Sequence, residues 1–170
     1  NSIYVKEINV PHLSEEFHFH NAYEMALIIK SSGKRIIGDS IENFTDGDLI
    51  LIGPHVPHIS YHYNKDYYLE ETPTVHAVVV YFYPDWLSEY HLSSPNLLKL
   101  RKLLADIQRG IKICGAVKKR VIKDIIQLKT CKGLKSIALM LNILAIIADS
   151  KYECLASEGY SHSFNQNDVK

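Results

Sequence analysis

The sequence is poor in cysteine and carries no excess charge of either sign. Its three cysteines, Cys114, Cys131 and Cys154, do not have the spacing of a metal-binding motif, and an odd number argues against a disulfide framework. Unpaired cysteines are typical of a reducing compartment, so the sequence predicts a cytoplasmic protein. The formal net charge is zero. The chain as a whole is therefore not biased toward nucleic acid or a membrane surface.

Long hydrophobic runs and nucleophile motifs are also missing. The longest apolar run, Ile137 to Ala148, is interrupted by Asn142, and a helix that spans a bilayer needs about 20 apolar residues. No basic stretch followed by an apolar one marks a secretory signal. Neither a G-x-S-x-G motif nor a phosphate-binding glycine loop is present. A chain of 170 residues that is 46% hydrophobic predicts one well-packed domain without a membrane partner.

The charges are unevenly distributed along the chain. Twelve of the 19 Lys and Arg residues lie between Lys99 and Lys135, where only Asp106 and Asp124 are acidic. Solvated helix faces are the simpler interpretation of this basic segment. A surface that lies near DNA or an acidic partner is the alternative.

The first half of the chain is organised as short strands. Turn residues, such as Ser31-Ser32-Gly33 and Asp46-Gly47, separate segments that are apolar or alternating. The predicted strands are Ile3–Ile8, Glu24–Ile29, Lys34–Gly38, Ile41–Phe44, Asp48–Ile52 and Val75–Tyr83. Strands at this spacing favour a barrel or sandwich, and the polar and aromatic residues 62–74 predict a loop over its mouth. Because the strand Met25–Ile29 is apolar on both faces, we expect Met25, Leu27 and Ile29 to be covered by helices.

The period of the apolar residues changes after Pro84. A spacing of three and four residues predicts helices over Asn96–Arg109, Ala116–Leu128 and Leu134–Ala148, with Gly110 as a cap. The sequence therefore predicts a barrel over residues 1–84, a helical region over 85–160 and a linker over 161–170.

The third predicted helix is apolar on nearly every side. One side can pack on the barrel or on the other helices. The second apolar side needs another partner, so the sequence predicts a homodimer. The expected seam consists of Leu134, Ile137, Leu141 and Leu144. Burial of both faces within a monomer is the alternative.

Two histidine motifs provide the candidate site. The first contains His18, His20 and Glu24, and the second, Gly47 to His58, ends at His58. Side chains alternate along a strand, so His18 and His20 share a face, and a turn at Asn21-Ala22 would bring Glu24 alongside them. These four side chains predict a site for a divalent metal such as Zn, Fe, Mn or Ni. Alternatively, these side chains line a ligand pocket or pack within a hairpin and do not bind a metal.

These motifs resemble those of the cupin family. The order HxH-x3-E, followed by a G-D and a P-x3-H segment, is similar to the paired cupin motifs. The resemblance implies a mainly β, cupin-like jelly-roll barrel (a double-stranded β-helix), here followed by about three α-helices.

The whole layout is similar to the N-terminal sensor region of AraC-type transcription regulators. The likeness lies in 18–24, 47–54, Pro57-His58 and the segment 103–111. It implies a domain that is not an enzyme, that binds a small effector and dimerises, and that contacts DNA only through a helix-turn-helix domain beyond this sequence. A metal-dependent cupin enzyme, such as a dioxygenase or isomerase, is the alternative.

Further residues could contact an effector. Tyr61, together with Tyr63, Tyr67 and Tyr68, could form a stacking wall for a sugar-like ligand, although ordinary packing explains each ring singly. We expect Tyr61 to join His18, His20, Glu24 and His58 as ligand-binding residues. Lys34 and Arg35 could hold a charged group, but an exposed strand end is the simpler interpretation.

Overall fold

The computed structural model describes residues 2–14, 16–62, 69, 74–85 and 93–160, which form two antiparallel sheets and three α-helices. The strands are β1 Ile3–Val10, β2 Tyr23–Lys30, β3 Gly33–Ile37, β4 Ser40–Phe44, β5 Leu49–Ile52, β6 His58–Tyr61, β7 Val75–Phe82, β8 Ile111–Ile113 and β9 Tyr152–Cys154. The helices are α1 Leu98–Asp106, α2 Gly115–Leu128 and α3 Leu134–Ala148. This architecture confirms the predicted β-rich barrel followed by helices.

The sheets are joined face to face by apolar side chains. The larger sheet has the strand order β1-β7-β2-β5-β8-β9, and the smaller has the order β4-β3-β6. Apolar side chains between the sheets form two buried clusters. The first consists of Ala26, Ile37, Ile50, Ile52, Val56 and Val79, and the second of Ile28, Phe44 and Ala77. The barrel core thus lies between β2, β5 and β7 on one side and β3 on the other.

The helices cover the outer face of the larger sheet. Met25 and Leu27 are 0% and 3% exposed and belong to a core cluster that includes residues of all three helices. The prediction for Met25 and Leu27 is therefore confirmed. It is wrong for Ile29, which is 37% exposed, because the register between β2 and β7 shifts between Ile28 and Lys30 and the side-chain alternation is lost there.

The predicted helices form with small changes at their ends. The first is an α-helix flanked by the 3-10 turns Pro95–Leu97 and Ile107–Arg109, and Gly110 follows with a φ of 63°. The third begins and ends at the predicted residues. Among the described residues, no helix is long and apolar enough to cross a membrane.

Two short strands connect the helical region with the barrel. β8 pairs with β5, and β9 pairs with β8. Residues 85–160 therefore contribute strands to the same sheet as residues 1–84.

Two predictions about individual residues are wrong. Arg35 is not at an exposed strand end: it is 1% exposed and contacts Glu42 and Asp48. Leu144 is 0% exposed within the single chain because it packs between the helices and the sheet, so it cannot meet a partner. The predictions for the loop 62–74 with Tyr63, Tyr67 and Tyr68, and for the linker 161–170, concern segments that lie largely or wholly outside the described residues.

Candidate functional site

The two histidine motifs are held together by main-chain hydrogen bonds. The amide of His18 donates to the carbonyl of His58 at 3.1 Å, and the amide of His58 donates to the carbonyl of His18 at 2.9 Å. The amide of His55 also donates to the carbonyl of His20 at 2.7 Å. His18 forms this pair as an isolated bridge rather than within a continuous strand. The backbone thus fixes both motifs at the mouth of the barrel.

Three imidazole rings meet at this position. Ring nitrogens of His18, His20 and His58 lie within 4.8 Å of one another. Glu24, on β2, extends toward the same point: its Oε2 lies 2.8 Å from Nε2 of His20 and 3.6 Å from Nε2 of His58. The structure therefore brings together the four side chains that the sequence predicts as a site.

Each of the three rings is oriented by a main-chain carbonyl. Nδ1 of His18 donates to Glu16 at 3.0 Å, Nδ1 of His20 to Ala22 at 2.9 Å, and Nδ1 of His58 to Val56 at 2.9 Å. Since Nδ1 carries the hydrogen, Nε2 is the atom that each ring offers to the centre. Metal-ligating histidines are commonly held in this way through their second nitrogen.

The carboxylate of Glu24 is ionised over the physiological pH range. Its burial opposes ionisation, but the hydrogen bond from His20 and the neighbouring imidazole of His58 outweigh that effect and lower its pKa from 4.5 to about 2. Burial lowers the pKa of His58, yet the carboxylate of Glu24, 3.6 Å away, raises it overall. Glu24 therefore places a negative charge beside the imidazole rings.

One buried nitrogen at the site lacks a hydrogen-bond partner. Nε2 of His58 is inaccessible to solvent and has no hydrogen bond to any described residue, because Oε2 of Glu24, 3.6 Å away, lies beyond hydrogen-bond distance. A buried polar atom without a partner costs about 1–3 kcal/mol. A cation at the centre would contact this atom, so the residues fit a divalent metal.

A cavity of about 790 Å³ extends from the histidines along the inner face of β1, β7 and β2. Its polar end contains His18, Glu24, His58 and Tyr81. The apolar residues that line it are Ile8, Val10, Leu13, Ala26, Ile28, Val75, Ala77 and Val79. The surface of the cavity is thus largely apolar, although further polar side chains also line it: Lys6, Glu7, Asn9, His12, Ser14, Glu16 and Ser60.

Tyr81 belongs to the site and was not predicted. It is the cross-strand neighbour of Glu24, and burial together with the charge of Glu24 raises the pKa of its hydroxyl. Alternation along β7 could have identified it, because Tyr81 continues the inward series Val75, Ala77 and Val79.

The structure does not bring Tyr61 to this cavity. Along β6 the side chains alternate, and His58 and Ser60 line the cavity. Tyr61 therefore lies on the opposite face. His55 occupies the turn between β5 and β6 with a φ of 62° and is not part of the histidine cluster.

Comparisons with known proteins agree with the fold. No protein-family model matches the chain, and no curated protein matches it. Among solved structures, ToxT from Vibrio cholerae, an AraC-family regulator, is similar over 87% of this chain at 10% identity, with a TM-score of 0.51.

Cupin proteins are also similar to this chain. A Cupin 2 conserved barrel domain protein from Salinispora arenicola matches 49% of it at 15% identity, with a TM-score of 0.39. An oxalate decarboxylase from Bacillus subtilis matches 60% of it at 20% identity, with a TM-score of 0.37. The chain spans 65% of the Salinispora protein, 54% of ToxT and 28% of the decarboxylase. The chain is a β-rich, cupin-like barrel with packed helices.

Proposed function

We propose that this chain is the effector-binding and dimerisation domain of an AraC-type transcriptional regulator. The observation that carries the proposal is the cavity beside His18, Glu24 and His58, inside a barrel whose outer face is covered by three helices. The likeness to ToxT supports it, since that likeness extends over both the barrel and the helices. DNA would be contacted by a separate helix-turn-helix domain.

The lining of the cavity supports a proposal for the chemical class of the effector. Along one wall the side chains of Ala26, Ala77 and Val79 offer no hydrogen bonds, so polar groups of an effector that faced this wall would lose their hydration without replacement. A molecule with an apolar face toward this wall and a polar group toward the histidines fits that lining. Its polar group would lie at the histidines and Tyr81.

The histidines would hold a divalent metal such as Zn, Fe, Mn or Ni beside that polar group. His18, His20 and His58 supply nitrogen ligands, and Glu24 supplies a carboxylate or a neutralising charge. When bound, the metal supplies a Lewis-acid position for an oxygen or nitrogen of the effector. His20 and Glu24 are hydrogen-bonded to each other here, and a cation at Nε2 of His20 would replace the proton that they share.

A second copy of the chain is the partner that we propose for α3. Leu134 is 80% exposed, and Leu141 is only partly buried in the single chain. A homodimer would remove this apolar surface from water.

A metal-dependent cupin enzyme, a dioxygenase or isomerase, is the second candidate function. The unpartnered Nε2 of His58 favours it, because three nitrogens and one carboxylate are a ligand set that can leave positions open for a substrate. The two candidates differ in what adjoins the domain. A reading frame that continues beyond Lys170 into two helix-turn-helix units would support the regulator, and one that stops there would support the enzyme.

The metal site can be tested by calorimetric titration of Zn²⁺ into chelator-treated protein that carries no affinity tag. The wild type should bind one equivalent, and His18→Ala should weaken binding at least about 10-fold, because the loss of even a supporting group costs that much. His18 is exposed, so its replacement should leave the fold intact. The matched control is His76→Ala, which removes an imidazole outside the cluster that contacts Glu7 and should bind zinc like the wild type. Equal zinc binding by His18→Ala and the wild type would refute the site.

A further inference from the structure

Residues 155–160 lie against the turn between β3 and β4. The amide of Ser157 donates to Oδ1 of Asp39 at 2.9 Å, and its hydroxyl donates to Oδ2. Arg109 holds the same segment from the other side, through hydrogen bonds to the carbonyls of Ala156 at 2.8 Å and Ser157 at 3.1 Å. These contacts fasten the segment that follows β9 to the barrel, and we refer to residues 155–160 as the clasp.

Tyr160 completes the clasp by packing on Gly38. Gly38 has a φ of 56°, and a Cβ at this position would lie 2.8 Å from the tyrosine ring. Only glycine allows both the turn and this close approach. The contact is therefore specific to the present pair of residues.

The same turn contacts the histidine motif directly. The amide of Gly38 donates to the carbonyl of Pro57 at 2.9 Å, and Ile37 is the cross-strand partner of His58. Leu155 and Tyr160 also pack on the barrel cluster that contains Ile37. Gly38 thus contacts the histidine motif through Pro57 and the clasp through Tyr160.

We infer that occupancy of the histidine site controls how firmly the clasp is held on the barrel. This inference rests on the proposed metal site. A cation bound at Nε2 of His58 would fix the turn 53–58, and with it the carbonyl of Pro57 that holds Gly38. The occupied site then favours the closed clasp. Coupling of this kind is reciprocal, so an opened clasp must weaken binding at the site.

The test uses Asp39→Ala, which removes both acceptors of Ser157, with Zn²⁺ as the probe. Hydrogen exchange should show that zinc slows exchange of the Ser157 amide in the wild type but not in the variant. Calorimetry should show that the variant binds zinc at least about 5-fold more weakly, the lower end of common couplings between sites. Asp85→Ala, which removes an exposed carboxylate elsewhere, is the matched control and should behave like the wild type. Ser157→Ala, which removes only the hydroxyl, should shift zinc affinity in the same direction by a smaller factor.

The outcomes separate the two proposals. Zinc affinity that is unchanged by Asp39→Ala, or Ser157 exchange that is unchanged by zinc, would overturn the coupling while leaving the metal site in place. If the wild type bound no zinc, the metal site and the coupling would both be refuted.

Discussion

The three clustered histidines are oriented by nearly the same local geometry. In each case the acceptor of Nδ1 is the carbonyl two residues away, before His18 and His58 and after His20. Such contacts form within one short segment and need no ligand. The ring orientations are therefore set in advance, so little ordering would be needed when a metal or effector binds.

The charge of Glu24 gives a prediction for stability in acid. Its folded-state pKa is lowered from 4.5 to about 2, so its stabilising contribution is present above 4.5 and is lost as the pH falls toward 2. For this one group the loss is on the order of 3 kcal/mol. In metal-free buffer, Glu24→Gln should therefore lose less free energy of unfolding than the wild type between about pH 5 and pH 2.

Urea denaturation at a series of pH values measures this difference. Glu158→Gln, which changes an exposed carboxyl, should follow the wild-type curve. Parallel curves for all three proteins would contradict the assigned role of Glu24. The contribution of His58 to stability changes with pH in the opposite direction. Because its pKa is raised from 6.5, this contribution is complete below that value and is lost as the pH rises through the folded-state pKa.

At the scale of elements, strands and helices with a clear periodicity were predictable, whereas the shortest strands were not. The segments that became β1, β2, β7 and the three helices carry enough residues to show a period of 2 or 3.6. β8 and β9 have three residues each and are strands only because they pair with a distant partner. The histidine spacing predicted the site, but Tyr81 became part of it through the register of β2 and β7, which one sequence does not specify.

Charged side chains from four strands surround the buried Arg35. Nε of Arg35 donates to Glu42 at 3.1 Å, its guanidinium also contacts Asp48 at 3.3 Å, and Lys112 contacts Asp48 at 3.1 Å. These residues come from β3, β4, the start of β5 and β8. Arg35 was predicted to be exposed because two adjacent basic residues at a strand end are usually solvated. Its acidic partners lie on other strands, so the local sequence does not indicate them.

Removal of Arg35 should strongly destabilise the barrel. Arg35→Ala leaves the carboxylates of Glu42 and Asp48 without their main counter-charge, which costs about 3–5 kcal/mol when one partner of a buried pair is lost. Arg35→Met keeps most of the side-chain volume and should cost nearly as much if charge is the cause. Lys34→Ala, at the exposed neighbouring position, should change the free energy of unfolding by less than about 0.5 kcal/mol. Urea denaturation of the three variants makes the comparison, and equal stability of Arg35→Ala and Lys34→Ala would exclude a structural role for the network.

For the whole molecule, one face of α3 remains apolar after the helix has packed. Met140, Ile143, Leu144 and Ile147 are buried against the sheet and the other helices. On the opposite side, Leu134, Ala138, Leu141 and Ala145 recur at spacings of four and three residues and are exposed or half-buried. This spacing is that of a coiled-coil seam, and its two alanines permit close approach of a second helix. The proposed dimer seam is therefore this stripe, which lies beside the one predicted from the sequence. Leu134 and Leu141 belong to both stripes. Ile137 lies at the border of the new stripe, and Leu144 belongs to the core.

The dimer proposal predicts opposite effects for two leucines three residues apart. Leu141→Glu places a charge in a seam that the dimer would keep dry, so the variant should become monomeric while its circular dichroism and melting temperature stay near those of the wild type. Leu144→Glu places the same charge in a core position that is 0% exposed, so it should unfold the domain. Light scattering of both variants and the wild type at matched concentrations measures the oligomeric state. A wild-type chain that remains monomeric at its highest soluble concentration would contradict the proposal. Unfolding of Leu141→Glu would show instead that Leu141 stabilises the single chain.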